Sequence, residues 1–345
     1  MTRRHLLPIL VSATMLLAAC GGSGGDGGGD AGGGEAGPTL TIYSGRSEEL
    51  VRPIIEQFEG ETGIRTQVRY GATAEMAGAI LEEGDNSPAD VFFAQDAGAL
   101  GALSSEGRFA ALDPGTLDKV DPQFRSVNGD WLGVSGRARV AVYNTAALNE
   151  SALPDSILDF TADRWKGGKL GWAPTNGSFQ AFVTALRVTE GEEGARAWLE
   201  GIKANDPKVY ENNIAIVEAA GAGEIQAGFV NHYYLHRVKA ENPDFPAANH
   251  LFPNGDVGSL VNVAGVGVLE GTEQPDEARR FVEFLLSEPA QQYFASETFE
   301  IPLVDGVAAD PTLPPLETLQ QPDIDLAQLD DLEGTLRLLT EVGVI

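Results

Sequence analysis

The residues best suited to chemistry in this chain are two adjacent phenols, Tyr233 and Tyr234, in the stretch Asn231-His-Tyr-Tyr234. A tyrosine titrates near pH ~10 in water, but a hard trivalent cation can displace that proton and bind phenolate oxygen. The alternative is that two aromatic rings merely pack in a core or against a lobe surface. Their setting favours the first reading. Gln226-Ala-Gly-Phe-Val230 is a short apolar run that reads as a buried strand, and residues 235–241 read as a helix. The phenols therefore stand at the carboxyl end of a strand, where both could reach one ligand in a cleft.

The elements that must position them alternate along the chain. Thr39-Leu-Thr-Ile-Tyr43 has strand character. After the turn at residues 44–47, Leu50, Val51, Ile54, Ile55 and Phe58 recur at helical spacing. Ser47 is placed to cap that helix and Glu48 and Glu49 to complement its dipole, whereas Pro53 is expected to kink it or delay its start. Further strands are expected at 64–70, 89–94, 139–143, 169–173 and 257–268. Helices are expected at 74–83, 97–106, 179–189, 195–204, 214–222 and 275–286. Such alternation predicts an α/β fold with largely parallel sheets, whose ligands bind beyond the carboxyl ends of strands. Four polar clusters fall at such ends: residues 44–47, Gln95-Asp96, residues 175–178 and residues 231–234. Each precedes a helix whose first amides favour anions. Their convergence predicts a ligand cleft between two lobes.

The chain's start is read as an address rather than as part of the fold. Residues 1–19 carry Arg3, Arg4 and a short apolar run, the pattern of an export signal. Leu17-Ala-Ala-Cys20 resembles the bacterial lipobox, which implies cleavage before Cys20 and lipidation of its thiol. Residues 20–38 then form a Gly-rich tether with a mean reach of roughly 20–25 Å. Cys20 is the only cysteine, so intrachain disulfides are excluded. The formal charge is −28, from 23 basic and 51 acidic residues; without Arg3 and Arg4 it is 21 − 51 = −30. That balance argues against nucleic acid and anionic membrane surfaces as partners. It favours cations, or else reflects adaptation for solubility in salt.

Taken together, these landmarks resemble the bacterial ferric-iron-binding proteins of ABC importers. The likeness rests on Thr41-Ile-Tyr-Ser-Gly45, Phe58-Glu-Gly-Glu-Thr-Gly-Ile64, Gly84-Asp-Asn-Ser-Pro-Ala-Asp-Val-Phe92, Ser135-Gly-Arg-Ala-Arg-Val140, Arg164-Trp-Lys-Gly167 and Asn231-His-Tyr-Tyr234. It implies a two-lobed periplasmic-binding-protein fold, type II-like, with hinge strands between the lobes. The lobes are expected at 39–139 plus 264–314 and at 140–263 plus 315–345. The resemblance implies one ferric ion bound by Tyr233 and Tyr234. Ser47 stands where many members have histidine, and Gln95 where many have glutamate. Glu48 and Phe179 stand where another branch has further tyrosines. Gln95, Glu48 and Asp96 are therefore open as additional ligands. Members that use a synergistic anion hold it at positions matching Asp96, Asn176, Gly177, Ser178, Asn213 and Asn231, with Asp96 here replacing a glutamine. Asp96 either repels that anion or ligates the metal itself. Arg46, Arg137 and Arg139 either orient the anion and the phenolates or form salt bridges near the hinge. His232 is expected to face away from the metal and His236 to lie on the surface.

Ferric iron is hard and matches anionic oxygen, and phosphate or carbonate would complete the charge that two phenolates leave. The reading is an exported, lipid-anchored, monomeric solute-binding protein that carries ferric iron to a permease, at the outer face of the cytoplasmic membrane or in the periplasm. One alternative is a binding protein for an organic anion, phosphonate or thiamine-like solute, with an iron-chelate complex lying between it and the ferric reading, and another is an adhesion or receptor role. No nucleophile elbow, His-Glu-x-x-His or phosphate-cradling loop is present in the sequence, so an enzyme is not expected.

Overall fold

The computed structural model describes residues 38–313 and 315–345. The export signal, Cys20 and nearly all of the tether lie outside the described residues. The elements run β1 (Thr39–Ser44), α1 (Glu48–Thr62), β2 (Arg65–Tyr70), α2 (Thr73–Glu83), β3 (Val91–Ala94), α3 (Ala97–Ser105), α4 (Pro114–Leu117) and β4 (Trp131–Asn144). They continue with β5 (Leu170–Trp172), α5 (Gly177–Ala204), β6 (Lys208–Val209), α6 (Asn213–Gly221), β7 (Ala227–Asn231), α7 (Tyr233–Glu241) and β8 (Ala247–His250). The last are β9 (Val261–Val268), α8 (Pro275–Leu285), α9 (Glu288–Ser296), β10 (Ile301–Pro302) and α10 (Leu332–Val342).

The apolar periodicity behind α1 is realised. Leu50, Val51, Ile54, Ile55 and Phe58 are buried, and Gly63 ends the helix at φ 71°, its amide donating to the Glu59 carbonyl. The helix runs through Pro53. Ser47 occupies the cap position without a side-chain cap bond. The helices expected at 179–189 and 195–204 are two arms of α5, joined at Gly191, whose φ of 75° needs no side chain.

The strand order is β2-β1-β3-β9-β4-β7-β5-β6, with β8 and β10 also on β4. Here the expectation of largely parallel sheets needs correction. The outer pairs β1–β2, β1–β3, β5–β6 and β5–β7 are parallel, but β9 and β4 run antiparallel to their neighbours. The reason lies in β4, fourteen residues long and buried throughout. It pairs with β9 as far as Ala138↔Val261 and then with β7 from Arg139↔Asn231. A strand that serves two sheets in turn, with partners returning from either side, cannot be reached by βαβ crossovers alone. One aromatic core, centred on Phe58 and Phe281 at 5.1 Å, packs under the first sheet. Another, with Phe160, Phe182, Trp198 and Phe229, packs under the second.

Six elements had no counterpart in the sequence reading: α4, β6, β8, α9, β10 and α10. The stretch before α10 matters for the site, because Leu326–Asp330 lies against α3. The approach is close. A Cβ on Gly98 would collide with the Leu329 carbonyl oxygen, and one on Gly101 would stand 2.9 Å from the Ala327 carbonyl oxygen. Two glycines one turn apart thus open a seat for passing backbone.

Candidate functional site

At the point where β4 changes partners, the strand ends surround a cavity of about 500 Å³. Gln95, Asp96, Arg137, Arg139 and Tyr234 line it. So do Asn176, Gly177, Ser178 and Asn231. Asn213 joins them through hydrogen bonds, while Tyr233 lies behind Tyr234.

The two phenols differ in surroundings. Tyr233 and Tyr234 open α7, and their rings stack with centroids 4.2 Å apart. Tyr233 is fully buried, and its hydroxyl has no hydrogen-bond partner in the protein. Burial, together with the neighbouring Tyr234, pushes its pKa well above 10, against the pull of Arg137 and Arg46. An unpaired buried hydroxyl costs about 1–3 kcal/mol and calls for an explanation.

His232 fixes the turn that delivers the pair. Its Nδ1 accepts from the Ala138 amide at 3.0 Å, so Nε2 carries the proton and donates to the Phe299 carbonyl at 2.9 Å. Both ring nitrogens are spent on the hinge, and the side chain lines a separate small cavity on the far side of β4. Burial lowers its pKa to about 3. His236 is not the surface residue expected. It is half-buried, bonded through Nδ1 to the Thr312 hydroxyl at 3.0 Å, and burial lowers its pKa to about 4.

The polar wall is a connected network at the start of α5. Asn176 caps the helix, and its Oδ1 accepts from the Ser178 amide (3.1 Å), the Ser178 hydroxyl (2.6 Å) and Asn213 Nδ2 (3.1 Å). Asn213 Oδ1 in turn accepts from the Asn231 amide at 3.0 Å. Arg139 completes this wall. Its Nη2 donates to the Phe229 carbonyl at 3.1 Å, and Nη1 lies 3.4 Å from both Ser178 Oγ and Asn231 Oδ1. The Nε has no partner. No carboxylate pairs with this guanidinium among the described contacts, and burial lowers its pKa to about 9. A buried cation without a counter-ion, beside a helix start, is suited to an anion.

Arg46 does something else. It is buried and bonds Glu300 twice, at 2.8 Å through each Nη. Of the two roles open to it, the salt bridge is the one seen. Arg137 stands between: its Nε is 4.0 Å from Glu300, while Nε and Nη2 lack hydrogen-bond partners.

Among the other residues considered as ligands, Gln95 faces the cavity with its buried Oε1 unpartnered. Asp96 Oδ1 caps α3 through the Ala99 amide at 3.1 Å, and burial raises the carboxyl's pKa. Glu48 and Ser47 are exposed and do not line the cavity; the Glu48 carboxylate pairs instead with Arg52 at 3.2 Å, one turn along α1. Phe179 is core, packed edge-on to Trp172. Sequence reasoning missed Asn262, whose Oδ1 holds the first amide of α3 at 3.1 Å. It also missed Glu300, and the Leu329–Leu332 wall contributed by the C-terminal segment. Nothing local marks Glu300; only its 254-residue separation from Arg46 being closed in space reveals it. No group of three or more His, Cys, Asp or Glu placed to hold a metal occurs among the described residues.

Comparison with known proteins agrees with this geometry. The family model described as bacterial extracellular solute-binding protein matches residues 53–320. The chain is 33% identical over 311 residues to the Fe(3+)-binding periplasmic protein of Serratia marcescens, covering 89% of this chain and 90% of that one. It is also 33% identical over 309 residues to the major ferric iron-binding protein of Neisseria meningitidis, covering 88% and 93%. The crystal structure of iron-bound HitA from Pseudomonas aeruginosa matches with a TM-score of 0.84 at 37% identity, over 89% of this chain and all of that chain. A Trichodesmium protein in complex with iron and citrate matches with a TM-score of 0.78 at 28% identity, over 88% and 99%. With two α/β sheets meeting at a shared strand, a cavity at their junction and these relatives over most of its length, the chain belongs to the bacterial extracellular solute-binding proteins, in their two-lobed fold and alongside the ferric-iron-binding periplasmic proteins.

Proposed function

We propose that this protein captures ferric iron through Tyr233 and Tyr234 as phenolates, with an oxyanion held by Arg139, Asn176, Gly177, Ser178, Asn213 and Asn231. The observation that carries this reading is the Tyr233 hydroxyl, buried and unpartnered beside the cavity-lining Tyr234. Metal coordination would satisfy it. Arg137 and Arg46 would favour the ionised form. Gln95 is placed as a neutral further donor, and Asp96, committed to its cap, is a weaker one. The relatives described as binding ferric iron support the choice of cargo. Delivery would be to an ABC permease, by closure of lobes 39–139 plus 264–314 and 140–263 plus 315–345 about β4. The exchange of β4's partners between Ala138 and Arg139 supports that division. Phosphate is expected to tighten ferric binding. Ser178→Asp should abolish that gain, because a carboxylate would face the anion. Equal affinity in anion-free and phosphate buffer, measured by titration, would overturn the oxyanion role.

A second reading takes the unpartnered nitrogens of Arg137 and Arg139 as the main feature and binds an organic anion, phosphonate or thiamine-like solute without iron. Visible absorbance of the loaded protein separates the two, since ferric phenolate is coloured. The address at Cys20 is proposed as a lipid anchor for a monomer. Cys20→Ala should then move the protein from the membrane fraction to the soluble fraction with binding unchanged; retention in the membrane fraction would rule the anchor out.

A further inference from the structure

The cavity is much larger than the proposed cargo. A ferric ion with one inorganic oxyanion occupies roughly 100 Å³, at about 30 Å³ per water-sized group. The cavity holds about 500 Å³. Much of the remaining lining is carbon: Ala77 and Leu81 from α2, Ala102 from α3, and Leu329 and Leu332 from the C-terminal segment, with Asp330 between the two leucines as a polar member. Clefts of ~300–1,000 Å³ with a mostly apolar lining and a few placed polar groups are the sites of organic ligands. The C-terminal wall is built rather than incidental, since Gly98 and Gly101 on α3 provide its seat.

We propose that the cargo is a ferric complex of a small aromatic chelator with adjacent oxygen donors, of the catecholate or hydroxybenzoate class. This rests on the ferric reading above and specifies the form in which iron arrives. The two protein phenolates leave most positions of an octahedral ferric ion open. An aromatic chelator fills them with anionic oxygen directed at Arg137 and Arg139. These side chains are each 2% exposed, and Arg137 Nη2 and Arg139 Nε have no partner in the protein. Its ring then lies on the carbon wall. The small side chains of Ala77 and Ala102 in that lining leave room for a ring. A tricarboxylate offers no apolar face and would leave polar groups against carbon, which is unfavourable.

The test is equilibrium dialysis of the full chain with radioactive iron supplied as ferric 2,3-dihydroxybenzoate, ferric citrate or ferric phosphate. The dihydroxybenzoate complex is expected to bind about tenfold more tightly than the other two. Ala102→Phe, which extends a ring from α3 into the chelator's space, should weaken that complex about tenfold and ferric phosphate less than twofold. The phosphate arm doubles as a check that the variant folds, and the comparison of probes on the unaltered protein does not depend on the variant. Equal binding of all three, or tighter binding of citrate, overturns the chelator while leaving ferric capture intact. Binding of none of the three overturns ferric capture itself.

Discussion

Changing Tyr233 and Tyr234 together to phenylalanine is expected to abolish ferric binding and its visible charge-transfer colour while leaving the unloaded fold as stable as before. Each single change removes one metal–oxygen bond and keeps the stacked rings, whose centroids are 4.2 Å apart. Partners outside the first coordination shell are already worth about 10–100-fold in metal affinity, so each single change should cost at least the upper end. The stability side is the sharper discriminator. If the pair existed for packing, losing hydroxyls would cost about 1 kcal/mol each in lost hydrogen bonds. Tyr233 makes none within the protein. Tyr233→Phe should therefore be neutral or stabilising against urea, because it removes an unpaired polar atom from a buried place. Binding should also weaken as the pH falls, because each phenol must release a proton to the iron. A double variant that kept wild-type iron affinity and colour would sink the phenolate mechanism.

Much of this site was legible in the sequence because its parts sit at strand ends, where local pattern is informative. The runs at 226–230 and 89–94 read as buried strands, and the residues just beyond them, Asn231 and Gln95, face the cavity. The capping residues Asn176 and Asp96 occupy places where short polar side chains precede helices, again a local signal. What escaped was long-range. The sequence reading placed only residues 139–143 of β4 in a strand, and nothing in its residues says that a strand running from Trp131 leaves one sheet for another at Arg139. Hinge strands were expected, but their antiparallel direction was missed, because the alternation of strand and helix on either side predicts largely parallel sheets. Ser47 and Glu48 were considered because they stand where members of the resembled family carry histidine and tyrosine. The first turn of α1 instead directs Glu48 towards Arg52, and solvent takes the rest. The C-terminal wall was invisible for the same reason. Gly98 and Gly101 look like ordinary helix glycines until backbone from more than two hundred residues away is laid on them.

Glu300→Ala is expected to be the most destabilising single change among the buried polar residues near the site, by about 3–5 kcal/mol, because it strands buried arginines without a counter-ion. Glu300 is fully buried and accepts from Arg46 twice, from Ser135 at 2.9 Å and from Thr298 at 3.1 Å. The preceding Phe299 is held at φ 56°, an unfavourable backbone setting that this network sustains. Burial alone would raise the Glu300 pKa, but Arg46 and Arg137 overcome it and hold the carboxyl below 4.5. Its contribution to stability is thus present above pH 4.5 and lost as the pH falls through the lower folded value. Glu300→Gln should remove that acid-sensitive part and cost less than alanine, since an acceptor oxygen remains. The same change bears on function with the opposite sign. The Glu300 charge raises the Tyr233 pKa, whereas Arg137 and Arg46 lower it. With the negative charge gone and the arginines kept, the Tyr233 proton should leave more easily, and the pH of half-loading with ferric iron should move down. Urea unfolding of the glutamine variant and its ferric loading from pH 5 to 8 measure the two effects separately. Lower stability with an unchanged loading profile would mean that Glu300 only supports the hinge; lower stability with loading shifted to more acid pH would place its charge in control of the phenol that meets the metal.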